Sequence, residues 1–232
     1  MDPIKANIER IRQRIASACA RCNRDPDSVR LVAVSKVKPA ALIDEAFAAG
    51  QRLFGESYVQ ELRDKVEDVK SPVEWHFIGN LQSNKVKYLT RHVTLIHSVD
   101  RLSLAREISR QWGKLERDAR ILLQVNVGDE TSKAGCAITD LEQLARAVAR
   151  LPHLHICGLM CLPPFHEDPE QVRPYFKVLH DLAAALARQQ IPGVRMDELS
   201  MGMSGDFEVA IEEGATLVRV GTAIFGERDS SR

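Results

Sequence analysis

Arg30-Leu31-Val32-Ala33-Val34-Ser35-Lys36 is the stretch on which the fold turns. A short apolar run of this kind, bounded by polar residues, reads as a strand buried on both faces, the signature of a parallel sheet. Lys36 stands one position past its end, which places an amine at the carboxyl end of the first strand. Period-two alternation aims Lys36 to the same face as Val32 and Val34. If that face lines a closed interior, desolvation lowers the amine pKa and favours Schiff-base chemistry.

Working outward, the same kind of run recurs near residues 30–35, 52–55, 74–78, 94–98, 120–125, 155–160, 196–200 and 217–220. Amphipathic segments lie between them. Residues 40–49 stop at Gly50, 58–69 before Ser71-Pro72, 140–151 at Pro152, 169–189 before Pro192-Gly193, and 207–213 at Gly214; 102–115 leads into the fifth strand. Only a short helix fits 81–89. Thr139-Asp140, with Glu142 in the first turn, reads as a capped helix start. Eight strand–helix alternations behind an extra N-terminal helix predict an α/β fold, a single (β/α)8 TIM barrel. A doubly wound open sheet is the alternative. The dinucleotide and P-loop fingerprints, which need G-x-G-x-x-G or G-x-x-x-x-G-K-[ST], are missing. Residues 1–226 read as one domain and 227–232 as a polar tail.

The 232 residues carry 32 basic and 32 acidic side chains, a net charge of zero, with 44% apolar residues. That balance argues against a dedicated nucleic-acid or membrane surface, both of which need a positive field. No apolar run approaches the roughly 20 residues of a membrane span, and the first residues lack a signal-peptide core. A cytoplasmic location is expected. Five cysteines without a secretion signal make a disulfide framework unlikely. Cys19-Ala20-Arg21-Cys22 continues the helical stripe Ile4, Ile8, Ile11, Ile15, so its cysteines read as core residues. His153-Leu154-His155 opens a strand, which puts it on the end of the barrel devoted to stability, and no metal site is expected.

In a barrel the functional groups gather at the carboxyl ends of the strands. That end receives Lys36, Glu56 and Ser57, Gly79-Asn80, Ser98, Asn126, Met160, Ser200 to Ser204, and Gly221-Thr222, with His76 inside strand three as a pocket residue. The turns after strands seven and eight often hold phosphate. Here Met203-Ser204-Gly205-Asp206 opens the short helix at 207–213, and Gly221-Thr222 offers more amides and a hydroxyl. The plainer reading makes Ser204 an N-cap and Gly221 a turn residue. Arg219 inside an apolar strand needs a partner: the ring nitrogen of a cofactor, or a carboxylate on the barrel floor. An amine able to form a Schiff base and two phosphate-cradling turns together point to a pyridoxal 5'-phosphate (PLP) site.

Several segments carry a resemblance: 31–36 (LVAVSK), 54–61 (FGESYVQE), 75–85 (WHFIGNLQSNK), 124–127 (QVNV), 158–160 (GLM), 199–204 (LSMGMS) and 218–226 (VRVGTAIFG). On these the chain resembles the YggS/PROSC family of pyridoxal phosphate homeostasis proteins, over nearly its whole length. The resemblance implies the barrel of the alanine racemase N-terminal domain, fold type III of the PLP proteins. It implies that Lys36 holds PLP as an internal aldimine, that Ser204, Gly221 and Thr222 contact the phosphate with backbone help near Met203, and that Arg219 meets the ring nitrogen. The family pattern G-E-N-Y stands here as Gly55-Glu56-Ser57-Tyr58, so Ser57 replaces an asparagine near the cofactor. Lys133 matches a family lysine proposed to hold a second PLP.

The implied function is a PLP carrier that keeps the free cofactor low and supplies PLP-dependent apo-enzymes, expected as a monomer and without a catalytic residue of its own. The alternative is an amino-acid racemase. That reaction needs a second base opposite Lys36. Tyr58 and Tyr175 read as helix residues and Tyr88 as a linker residue, and only six residues follow Gly226, so the usual second domain is not expected. A Schiff-base aldolase or sugar-phosphate binder is a third reading, marked by a colourless protein.

Overall fold

The computed structural model describes residues 3–128 and 134–227. Eight parallel strands close into a barrel in sequence order, β1 pairing with both β2 and β8. They are β1 (Arg30–Val34), β2 (Leu53–Glu56), β3 (Glu74–Phe77), β4 (Val93–Val99), β5 (Ala119–Val125), β6 (Leu154–Cys161), β7 (Val194–Ser200) and β8 (Leu217–Val220). All eight expected strands form, with ends shifted by up to two residues. The helices are α1 (Pro3–Arg21), α2 (Ala40–Ala48), α3 (Val59–Asp68), α4 (Leu102–Gly113), α5 (Leu141–Val148), α6 (Arg173–Arg188), α7 (Phe207–Glu212) and α8 (Thr222–Phe225). Among the described residues, no helix is long and apolar enough to cross a membrane.

Alternation along the strands splits the core in two. Val32, Leu53, Leu95, Leu122, Cys157, Met160 and Leu217 cluster together inside the barrel. Their strand neighbours Leu31, Ala33, Phe54, Ile96 and Leu123 belong to the outer layer, with the buried α1 stripe Ile4, Ile8, Ile11, Ile15 and Cys19. Each side chain thereby goes to the face its register dictates.

The expected short helix in the 81–89 link forms as a 3-10 helix, Ser83–Tyr88. Three local expectations are corrected. A 3-10 turn, Ile138–Asp140, precedes α5 and holds Asp140 in a helical conformation, where its carboxylate makes no capping bond. The 221–226 turn winds into α8, with Gly221 as its N-cap. Ser204 is not the N-cap of α7; Asp206 is. Lys133 lies outside the described residues, as does all of the expected tail except Glu227.

Candidate functional site

Lys36 is half-buried in the turn that follows β1. The strand stops at Val34, so alternation does not carry through to Lys36; the turn positions it. Lys38 N–H closes that turn on the Ser35 carbonyl at 3.0 Å. Val37 has φ of +61°. A β-branched residue in this left-handed region costs roughly 1–2 kcal/mol.

The neighbouring strand and helix hold the turn. Glu56, fully buried at the end of β2, faces outward from the barrel rather than into its mouth. It accepts from Ser35 Oγ at 2.7 Å and from Lys65 Nζ of α3 at 2.6 Å. Lys65 also donates to the Ser35 carbonyl at 2.6 Å and lies 3.3 Å from Glu61. The Glu61 carboxylate accepts the Val37 N–H at 3.0 and 3.1 Å. Burial raises the Glu56 carboxyl above its usual range, opposed by Lys65 and Ser35. Its second oxygen, Oε2, is buried without a hydrogen-bond partner among the described residues.

Inside the barrel runs a chain of polar groups. Arg219 of β8 donates to Ser200 Oγ at 2.6 Å and to the Cys161 carbonyl at 2.9 Å. Ser200 Oγ lies 2.8 Å from His97 Nδ1, His97 Nε2 lies 2.9 Å from His76 Nδ1, and His76 Nε2 lies 3.3 Å from Glu74 Oε1. Both ends set the direction of these bonds. A guanidinium can only donate and a carboxylate can only accept. With both imidazoles neutral, the Glu74 carboxylate fixes the order: His76 donates to Glu74 and His97 to His76, each from Nε2, and Ser200 accepts from Arg219 while donating to His97. Burial lowers the pKa of His76, and of His97 much further. The hydrogen bond from His76 holds Glu74 at about 2.

The floor carboxylate that could have paired with Arg219 is Glu198, and Arg30 takes it at 2.5 Å together with Thr216 at 2.7 Å. Arg219 is thus a buried cation held by a hydroxyl and a carbonyl. Burial lowers its pKa from the ordinary guanidinium value.

The turns after β7 and β8 complete the mouth. Gly202 has φ of +88° and sits where a Cβ would meet Ala210 Cβ at 2.6 Å. Its carbonyl accepts the Arg219 N–H at 3.0 Å, which ties the β7 turn to β8. The Met203 N–H donates to Asp206 Oδ1 at 2.5 Å, so that amide is engaged within its own turn. Ser204 is half-buried and Thr222 exposed. A Cβ on Gly221 would come within 3.2 Å of the Val34 carbonyl, so the β8 turn lies against the end of β1. The first amides of a helix have no acceptor within it, which leaves the start of α8 facing the same mouth.

Ser57 is half-buried just past β2, and Gly79 packs so close to it that a Cβ there would lie 2.0 Å from the Ser57 carbonyl. The barrel therefore gathers Lys36, Ser57, Met203, Ser204, Gly221 and Thr222 at one end, with Arg219 beneath and His76 deeper, joined to Arg219 through His97 and Ser200. Tyr58, read above as a helix residue, is instead the exposed N-cap of α3, two positions past β2. Sequence reading missed His97 and Lys65. Alternation with Leu95 places His97 inside the barrel, so the inward face of β4 carried the signal. Lys65 gave none, since a helical lysine is ordinarily solvated. His153 and His155 flank Asp118 at 3.2 and 3.1 Å at the opposite end of the barrel, as their place at the start of β6 implies.

Comparison with known proteins places this geometry among relatives. Residues 1–229 match the family described as "Alanine racemase, N-terminal domain". A pyridoxal phosphate homeostasis protein of Aquifex aeolicus is 46% identical over 95% of this chain and 96% of its own. One of Escherichia coli K12 is 44% identical over the full length of both. The crystallised PipY of Synechococcus elongatus PCC7942, solved with PLP bound, superposes with a TM-score of 0.81 at 42% identity, covering 93% of this chain and all of that one.

Proposed function

This chain belongs to the alanine racemase N-terminal domain family and to the pyridoxal phosphate homeostasis proteins within it, and from that premise we propose that it binds PLP at the barrel mouth and holds it for release to apo-enzymes. When bound, PLP supplies an aldehyde carbon that condenses reversibly with an amine. Lys36 is the residue that would provide that amine. Ser204, Gly221 and Thr222 would hold the phosphate, Arg219 would face the ring nitrogen, and Ser57 would line the remaining wall, whereas His76, expected as a pocket residue, is buried behind Arg219 with both ring nitrogens engaged.

The observation that carries this reading is a juxtaposition. Pairing of β1 with β8 sets Val32 opposite Arg219 and brings the Lys36 turn beside Gly221. An amine, a side-chain-free stretch of backbone and a buried guanidinium thus converge from three directions on one mouth. The donor set suits a phosphorylated aldehyde with an aromatic nitrogen. A neutral His97 and Ser200 behind Arg219 hold the guanidinium without offering the ring a proton. A ring nitrogen facing Arg219 stays unprotonated, which weakens the cofactor as an electron sink.

Borohydride treatment of the PLP-loaded protein, followed by peptide mapping, tests the reading. A pyridoxyl group is expected on Lys36, and Lys36→Ala should abolish covalent capture while its Tm stays close to that of the parent. A pyridoxyl group mapped to another lysine overturns it. A second reading turns on Tyr58, whose exposed side chain two positions past β2 would have to supply the second base. Deuterium wash-in at the Cα of amino acids, dependent on both Lys36 and Tyr58, is the result that would put a racemase-type activity ahead.

A further inference from the structure

We propose that Glu61, acting with Lys65 and Glu56, is a positioning residue for Lys36: the array fixes the backbone on both sides of the lysine and so sets where its amine stands. The inference rests on the reading of Lys36 as the residue that links PLP.

Lys36 lies between two residues that β2 and α3 grip. On its amino side, Ser35 is held twice, by its hydroxyl to Glu56 and by its carbonyl to Lys65. On its carboxyl side, the Val37 N–H is held by Glu61. Lys65 touches both carboxylates, so the two grips form one unit. Left-handed backbone at a β-branched residue persists only where its surroundings over-determine it. Packing of the Val37 side chain does not supply that restraint, since the residue is 51% exposed. The Glu61 carboxylate does, from the first turn of α3, where a negative charge is favoured.

The array is also an inefficient source of stability. It buries a carboxylate with one oxygen unpartnered, and buried ion pairs can commonly be replaced by apolar packing without loss. What apolar side chains could not do is fix the Ser35 carbonyl and the Val37 amide in direction. Those two groups define the turn that carries Lys36.

The test measures the rate of covalent PLP capture in the full chain, with thermal unfolding alongside. Glu61→Ala removes the acceptor for Val37. It should slow capture by about tenfold or more, because displacing a reacting group by an ångström is enough to cost that much. Glu61→Gln keeps an oxygen that accepts the Val37 N–H, and should restore the rate to within about twofold of wild type. A Glu61→Ala rate within that same margin overturns the proposal. So does equal slowing by both variants, which would assign the effect to charge rather than to the bond. Should the alanine variant fail to fold, Glu61→Asp keeps the charge but shortens the reach. It should then slow capture by roughly threefold or more, and an unchanged rate overturns the proposal. Failure of the underlying reading shows separately, as capture in the wild type at a lysine other than Lys36.

Discussion

At the amino-terminal end of the barrel, polar side chains pair with one another. Glu198 takes Arg30, with Arg120 at 3.9 Å, and Asp118 lies between two histidines. At the carboxyl end, the Lys36 turn is gripped through its backbone, and Arg219 is held by a hydroxyl and a carbonyl, with no carboxylate bonded to it among the described residues. The first arrangement gives each carboxylate a side-chain partner in place. The second fixes groups in space through hydrogen bonds, as the proposed PLP site requires. The barrel thus separates the work of staying folded from the work of binding.

The sharpest way to break this contrast is Arg219→Met. The side chain is of similar length and apolar, so the loss of stability should stay within about 1–3 kcal/mol, set by the Cys161 carbonyl left without its donor. The Kd for PLP should rise about tenfold or more, in keeping with loss of a charge-assisted hydrogen bond of about 1.5–3 kcal/mol. Equilibrium dialysis against PLP reads the Kd, and an unchanged value would remove Arg219 from the site. Glu198→Gln probes the other end. It should lower stability by about 1–3 kcal/mol through the loss of the Arg30 pair, with no change in PLP affinity. Urea unfolding and the same dialysis check both halves.

The smallest effect concerns the polar chain that joins the two ends. His76 and His97 have folded pKa values below the ordinary 6.5. As pH falls through 6.5, the unfolded chain takes up protons on these imidazoles and the folded chain does not. Stability therefore falls on acidification, by at most about 1.4 kcal/mol per pH unit for each histidine. Glu74, held at about 2, adds its own loss only below about 4.5. His97→Gln should flatten the dependence between pH 6.5 and 5, measured by urea unfolding across that range. An unchanged slope would mean that His97 is not held neutral.

The barrel was legible in the sequence because its signals are local. Each strand is a continuous apolar run, and Gly50, Pro152 and Gly214 punctuate the helices. The strand-end candidates were legible for the same reason: once the strands are placed, the residues after them follow. The inward and outward sense of polar residues was harder. Glu56 reads as a mouth residue by position, yet the register turns it outward to Lys65, nine residues away on the next helix. His97 lies 103 residues from its partner Ser200. Such pairings depend on barrel closure, and no local pattern encodes closure. Ser204 was ambiguous between a cap and a binding residue until the start of α7 assigned the cap to Asp206.

The seam between β1 and β8 also bears on how the protein is made. Lys38 donates to the carbonyl of Phe225, 187 residues further along the chain. The two sides of the mouth thus come from segments 187 residues apart, and the earlier is synthesised long before the later. A nascent chain carries Lys36 without a cradle beside it until β8 and the turn after it have been made. Contacts of such long sequence separation also form slowly. Only a finished and closed molecule presents the amine, the guanidinium and the second turn together, so a truncated or half-folded copy would lack the site.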